Sequence, residues 1–152
     1  MTQTITMPAP EVASASSIPA MLFEAARVHA GRPAIEDEGG VIDYAELPGQ
    51  VLEVSRALIA CAIEPGDRVA VWAPNGRQWI IAALGIQCAG AVLVPVNTRM
   101  KGPEAADVLE RSGARILFVQ GEFLGVDYAR RTVFPGCRTQ LQHAQPQRVL
   151  LR

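Results

Sequence analysis

The chain has 152 residues, 49% of them apolar and 19% charged. That length suits one domain with a core and not comfortably two, and that apolar content excludes a chain disordered throughout. No stretch approaches the roughly 18 continuous apolar residues of a membrane-spanning helix, no Lys or Arg precedes Arg27 to begin a secretory leader, and a net charge of -1 makes no case for nucleic acid.

Residues 1–16 are mostly Thr, Ala, Ser and Pro without periodicity and are expected to be disordered. Ser17 can cap a helix over about 18–30, with Met21, Leu22, Ala25, Val28 and His29 toward one side. Gly31-Arg32-Pro33 stops it. A small hairpin follows: Ala34–Glu36, a turn at Glu38-Gly39-Gly40, then Val41–Ile42. Asp43-x-x-Glu46 has capping-box spacing, with Asp as a variant cap. The long helix behind it carries an apolar stripe of Leu47, Val51, Val54, Leu58 and Cys61. Pro48 argues for a kink there, with the regular helix beginning near Gln50.

From Glu64 the pattern changes. Pro65-Gly66-Asp67 is a turn, and Arg68–Trp72 is a short apolar strand. Asn75 is placed to cap a helix running to about Gly90, with Gln78 at the reciprocal position and Trp79, Ala83, Ile86 and Ala89 periodic. Val92–Val96 is a second strand. Pro103 suits the first turn of a helix that buries Ala106, Leu109 and Val108 and ends at Gly113. Arg115–Val119 is a third strand. Strand, helix, strand, helix, strand with short connections predicts an α/β domain: a parallel βαβαβ core preceded by a helix, a small hairpin and a long helix.

The chemistry is sparse. The turn Ala73-Pro74-Asn75-Gly76-Arg77 follows the first core strand and is neither G-x-G-x-x-G nor a P-loop. Arg77 is expected to be a solvated surface arginine. His29 and His143 lack Cys, Asp or Glu at ligand spacing, so no metal site is expected. Glu36-Asp37-Glu38 is a solvated charged turn, without the alternating ligands of a calcium loop. No Ser lies in a nucleophile elbow, and no catalytic residue is assigned. Trp72 and Trp79 are assigned to the core. Cys61, Cys88 and Cys137 form no C-x-x-C, and the first two are expected to be buried small hydrophobes.

The stretch Ile63–Phe118, through "GDRVAV", "GAVLVPVN" and "SGARILF" in that order, resembles the N-terminal subdomain of the adenylate-forming superfamily. That superfamily holds acyl-CoA synthetases, peptide-synthetase adenylation domains and luciferases. Upstream, "DYAELPGQVLEVSRAL" is similar to its first conserved segment. The resemblance covers about 17–128 and is closest to actinobacterial fatty-acyl-CoA ligases, including the type that activates steroid ring-degradation propanoates. It implies an enzyme that uses ATP and magnesium to convert a carboxylate into an acyl-adenylate, then passes the acyl group to the CoA thiol. It places the loop after Val96 near the CoA nucleotide, which makes Arg99 and Asn97 CoA-edge candidates. The family's Gly-rich phosphate segment T-S-G-T-T-G-x-x-K-G, its Y-G-x-T-E and T-G-D segments and its lid lysine are not in this sequence, so no cofactor is expected for this chain alone.

The resemblance stops after Tyr128. All fifteen acidic residues lie in 1–129, whereas 130–152 holds five Arg and no acid. That reversal suggests a non-homologous Arg/Gln-rich tail over 129–152, read from a shifted frame and expected not to pack, except for Val149–Leu151 along an open sheet edge. The expectation is therefore a truncated acyl-CoA ligase, inactive alone and cytoplasmic, with no nucleic-acid or membrane partner. A complementary ligase fragment, or self-association through exposed apolar faces, is the expected partnership. The alternative is a stand-alone α/β binding module that pairs with another chain.

Overall fold

A computed structural model describes residues 17–123, 126–127, 138–139 and 147–151. The first helix, α1 (Ile18–His29), is capped as its sequence suggests: Ser17 Oγ accepts the Ala20 amide at 3.3 Å. Of its expected apolar face only Leu22 is buried, while Met21 and Val28 are exposed. Strands β1 (Pro33–Asp37) and β2 (Gly40–Asp43) pair antiparallel as the hairpin. Gly40 takes a φ of +104°, a conformation that glycine adopts readily and closes this turn with.

The long helix, α2 (Leu47–Ala60), starts earlier than its proline suggests. Pro48 falls in the first turn, where its missing N–H deprives no intrahelical bond, so the regular helix does not wait for Gln50. Asp43 accepts the amides of Ala45 and Glu46 at 2.9 and 2.8 Å, so it orders the turn before α2 instead of serving as the N-cap. Leu47, Val51, Ser55 and Leu58 form the buried face. Cys61 is exposed, contrary to expectation, because it lies beyond the last turn and off that face.

The core is β3 (Arg68–Trp72), α3 (Arg77–Cys88), β4 (Val92–Pro95), α4 (Gly102–Ser112) and β5 (Ile116–Gln120). The sheet order is β4-β3-β5, with both pairings parallel. The two-residue period of a strand divides the core between the faces. Val69, Val71, Ile116 and Phe118 meet Leu58, Ala82 and Ile86 of α2 and α3. Ala70, Trp72, Leu117 and Val119 meet Ala105 and Leu109 of α4. On α4 it is Ala105, not Ala106, that is fully covered, one position back along the same turn. A further apolar layer of Leu22, Ile35, Ile42, Leu47 and Val51 joins α1 and the hairpin to the outer side of α2 and α3.

Two glycines are demanded by geometry. Gly113 follows α4 at φ +61°, the left-handed stop of a Schellman-type end. Gly85 lets α2 and α3 approach closely: a Cβ there would sit 2.6 Å from Val54 Cβ.

Beyond β5 lie the two-residue strands β6 (Glu122–Phe123) and β7 (Val126–Asp127), paired antiparallel, then β8 (Arg138–Thr139) and β9 (Gln147–Leu151). β9 pairs antiparallel with β5, matching Phe118 to Val149, and β8 pairs with β9. The sheet-edge exception allowed for Val149–Leu151 is thus the arrangement described, and the sheet becomes mixed, β4-β3-β5-β9-β8. Arg138–Thr139 and Gln147–Arg148, expected not to pack, also pair in this sheet, because backbone bonds along an open edge need no side-chain period. The expectations for residues 1–16 and for the tail outside 138–139 and 147–151 lie outside the described residues. Among the described residues no helix is long and apolar enough to cross a membrane.

Candidate functional site

The chain leaves β3 into α3 on one face of the sheet and leaves the neighbouring β4 into α4 on the other. Where adjacent parallel strands send their connections to opposite faces, the loops diverge and a crevice opens beyond the carboxyl ends of the strands. Two loops leave the sheet at this position, residues 73–76 after β3 and residues 96–101 after β4.

The loop after β4 is built by backbone bonds. The Val96 amide donates to Val71 O at 2.9 Å, continuing the sheet one residue past β4. The Met100 amide donates to Asn97 O at 3.0 Å and closes a turn over Asn97–Met100. Asn97 Oδ1 accepts the Arg99 amide at 2.9 Å, the side-chain turn that asparagine forms more readily than most residues. Asn97 and Arg99 are both exposed. The structure therefore brings both sequence candidates into one turn, with Asn97 shaping it and Arg99 extending from it. Among the described residues Arg99 meets no carboxylate within ion-pair distance. Trp72 Nε1–H also donates to Asn97 O, at 3.1 Å.

The loop after β3 is tied to the hairpin. Arg77, expected in solvent, donates through Nε to both carboxylate oxygens of Asp37 at 2.8 and 2.9 Å, and through Nη2 to Asp37 and to Gly40 O at 2.6 Å. The Arg77 amide donates to Asp37 Oδ2 at 3.3 Å. Gly76, not Asn75, is the N-cap residue of α3, and no side chain of its own segment caps it. The cap comes from Asp37. The Arg77 guanidinium holds the Asp37 carboxyl down to about 2, and Asp37 raises Arg77 in turn. A cleft of about 520 Å³ opens beside the pair, bordered by Glu38, Gly39, Asn75, Gly76 and Gln78.

Other polar groups serve the frame. Asp67 accepts the Glu64 amide at 2.8 Å and pairs with Arg115, which together lower its carboxyl. Arg68 Nε donates to Ser112 O at 2.9 Å and covers the carboxyl end of α4. Burial raises the Cys88 thiol, which disfavours the thiolate. Among the described residues no three His, Cys, Asp or Glu side chains gather as a metal-ligand group.

The profile of the family described as AMP-binding enzyme matches residues 22–150. The chain belongs to this family. It is 42% identical over 125 residues to a 3-[(3aS,4S,7aS)-7a-methyl-1,5-dioxo-octahydro-1H-inden-4-yl]propanoyl:CoA ligase of Mycobacterium tuberculosis, a match to 80% of this chain and 25% of the relative. It is 43% identical over 112 residues to the ligase of the same name from Rhodococcus jostii, covering 74% of this chain and 22% of the relative. The chain thus spans about a quarter of the length of these curated relatives. Among solved structures, a fatty acyl CoA synthetase of Mycobacterium tuberculosis superposes with a TM-score of 0.65 at 31% identity, over 68% of this chain and 21% of that one. The N-terminal subdomain of NpsA from Klebsiella oxytoca gives a TM-score of 0.64 at 28% identity, over 68% and 27% of the two chains. The AMP-binding match begins inside α1, contains the loops after β3 and β4 and passes Tyr128, where the segmental resemblance ends.

Proposed function

We propose that the chain is the N-terminal part of an ATP-dependent acyl-CoA ligase acting on a fatty or polycyclic carboxylate, and that the Asn97–Met100 turn faces the CoA nucleotide. The identity of 42% over 125 residues to a propanoyl:CoA ligase carries the first half of this reading. Arg99, exposed at the carboxyl edge of the sheet and without a carboxylate partner among the described residues, supports the second, because a guanidinium suits a phosphate of CoA. Asp37 engages Arg77, and no group of three His, Cys, Asp or Glu side chains gathers among the described residues, so the reading assigns ATP and magnesium to other parts of the ligase. On this reading adenylation falls to those parts, and these 152 residues alone do not perform it. We read the enzyme as cytoplasmic, where ATP and CoA are both available.

Two measurements test the reading. The isolated chain is expected to show no carboxylate-dependent pyrophosphate exchange. Exchange above background that is lost on mutating a residue of this chain overturns the inactivity. A ligase in which residues 22–128 replace the corresponding segment of the Rhodococcus jostii relative should retain CoA ligation, with Arg99→Ala raising KM for CoA. An unchanged KM refutes the CoA placement. The second reading, a module that pairs with another chain, is favoured by the exposed Ile18, Met21 and Val28 of α1. A stoichiometric co-purifying partner that is not a ligase would establish it.

A further inference from the structure

Trp72 closes β3 with 1% of its surface exposed. A buried indole N–H needs an acceptor, because one left without water or a partner is costly. Here the acceptor is chosen in a particular way. Asn97 O already takes the Met100 amide that closes the turn, and it is this oxygen that Trp72 Nε1–H also reaches, at 3.1 Å. The peptide plane that defines the turn is therefore held from inside the core, by a side chain 25 residues earlier on the neighbouring strand. The ring belongs to the α4-side core with Val96 and Leu109, and Met100 packs against that core. A leucine or phenylalanine would satisfy the packing of this site. Neither would hold the carbonyl.

We infer that Trp72 is a positioning residue, whose indole N–H fixes the Asn97–Met100 turn and thereby the place from which Arg99 extends. The functional consequence rests on the proposal that this turn faces the CoA nucleotide, whereas the positioning itself does not. Asn97 Oδ1 holds the Arg99 amide from the surface side at 2.9 Å, so Trp72 and Asn97 grip the same turn from the core and from solvent.

Amide exchange on the 152-residue chain tests the positioning. In Trp72→Phe, which keeps an aromatic ring and deletes the donor, the Met100 and Arg99 amides should exchange roughly 2- to 10-fold faster, the effect of one neutral hydrogen bond. The Val71 and Leu117 amides should be unchanged. Equal protection of Met100 in the two proteins overturns the inference. If Trp72→Phe fails to fold, the wild-type indole N–H decides: it should be protected from exchange, and free exchange overturns the inference. In the full-length ligase carrying residues 22–128, Trp72→Phe should raise KM for CoA several-fold and leave kcat unchanged. If Arg99→Ala raises that KM and Trp72→Phe does not, the positioning role is wrong. If Arg99→Ala has no effect while the Met100 amide loosens in Trp72→Phe, the CoA reading falls and the positioning role stands.

Discussion

Asp37 caps a helix that begins forty residues downstream of it. Its Oδ2 accepts the Arg77 amide at the start of α3, while the same carboxylate grips the Arg77 guanidinium. A helix N-terminus carries unsatisfied amides and a partial positive charge. A carboxylate delivered by the hairpin satisfies both, and it binds the hairpin to the turn that leaves β3.

Asp37→Asn keeps the shape of this contact and removes the charge. It should lower Tm by a few degrees at neutral pH, because the Arg77 guanidinium and the positive end of α3 lose their counter-charge. The dependence on pH has a definite sign. The Asp37 carboxyl is lowered to about 2 in the folded chain, so its contribution is present above the ordinary carboxylate range and is lost as pH falls through that range toward 2. The Tm difference between wild type and Asp37→Asn should therefore shrink between about pH 5 and pH 2. Thermal melts across that range check it, and a constant difference would refute the ion pair.

Gly85→Ala should destabilise the chain by about 1–3 kcal/mol, the usual cost of overpacking. The added Cβ meets Val54 Cβ at 2.6 Å and Val51 O at 3.1 Å. The first clash is with a side chain and the second with backbone. Val54→Ala in the same chain should therefore recover part of the loss and not all of it. Full additivity of the two losses in a double-mutant cycle would show that the helices do not meet at this point.

Local physics made most of the frame legible. Ser17, Pro103 and Gly113 announce helix ends through their own side chains or backbone freedom, and the three core strands show as short apolar runs between turns. The Asn97 and Arg99 candidates came from the family resemblance, and the structure adds that one turn holds both. What escaped is what depends on distance along the chain. Nothing around Arg77 indicates that Asp37 will reach it, so a solvated arginine was the natural expectation. Asn75 looked like a cap because the competing cap lies in another element. Gly85 reads as a weak helix residue until α2 is laid across it. Cys61 continues the apolar stripe by spacing, but the helix ends before the stripe can bury it.

Ala62 and Gly113 occupy the same left-handed region of backbone space with opposite suitability for it. Ala62 takes φ +58° and is the non-glycine residue found there among the described residues, whereas Gly113 takes φ +61°. Left-handed backbone costs an L-residue about 1–2 kcal/mol. Gly113→Ala should lose about that much, and it also brings a Cβ within 2.9 Å of the flexible end of Arg68. Ala62→Gly should change stability by less, because relief of strain is offset by the roughly 0.5–1 kcal/mol of extra unfolded-chain entropy that glycine brings. Equal losses at the two sites would contradict these backbone angles.

The exposed apolar groups of α1 lead to the last expectation. At 100° per residue, Ile18, Met21 and Val28 fall on one strip of the helix, beside the buried Leu22. They are 47%, 46% and 53% exposed, too open for a core face and too apolar for an ordinary solvent face. We expect concentration-dependent self-association through this strip. The edge strand β4 is the competing surface, since Val92 is 49% exposed there, but β4 is four residues long and ends at Pro95, features that blunt an edge. Burying the exposed half of two large side chains contributes about 1.5–3 kcal/mol. Met21→Lys with Val28→Glu should thus weaken association roughly 10- to 100-fold in sedimentation velocity. Val92→Lys should leave it nearly unchanged. The reverse ranking would move the interface to the sheet edge, and a wild-type chain that stays monomeric at high concentration would remove it from α1 altogether.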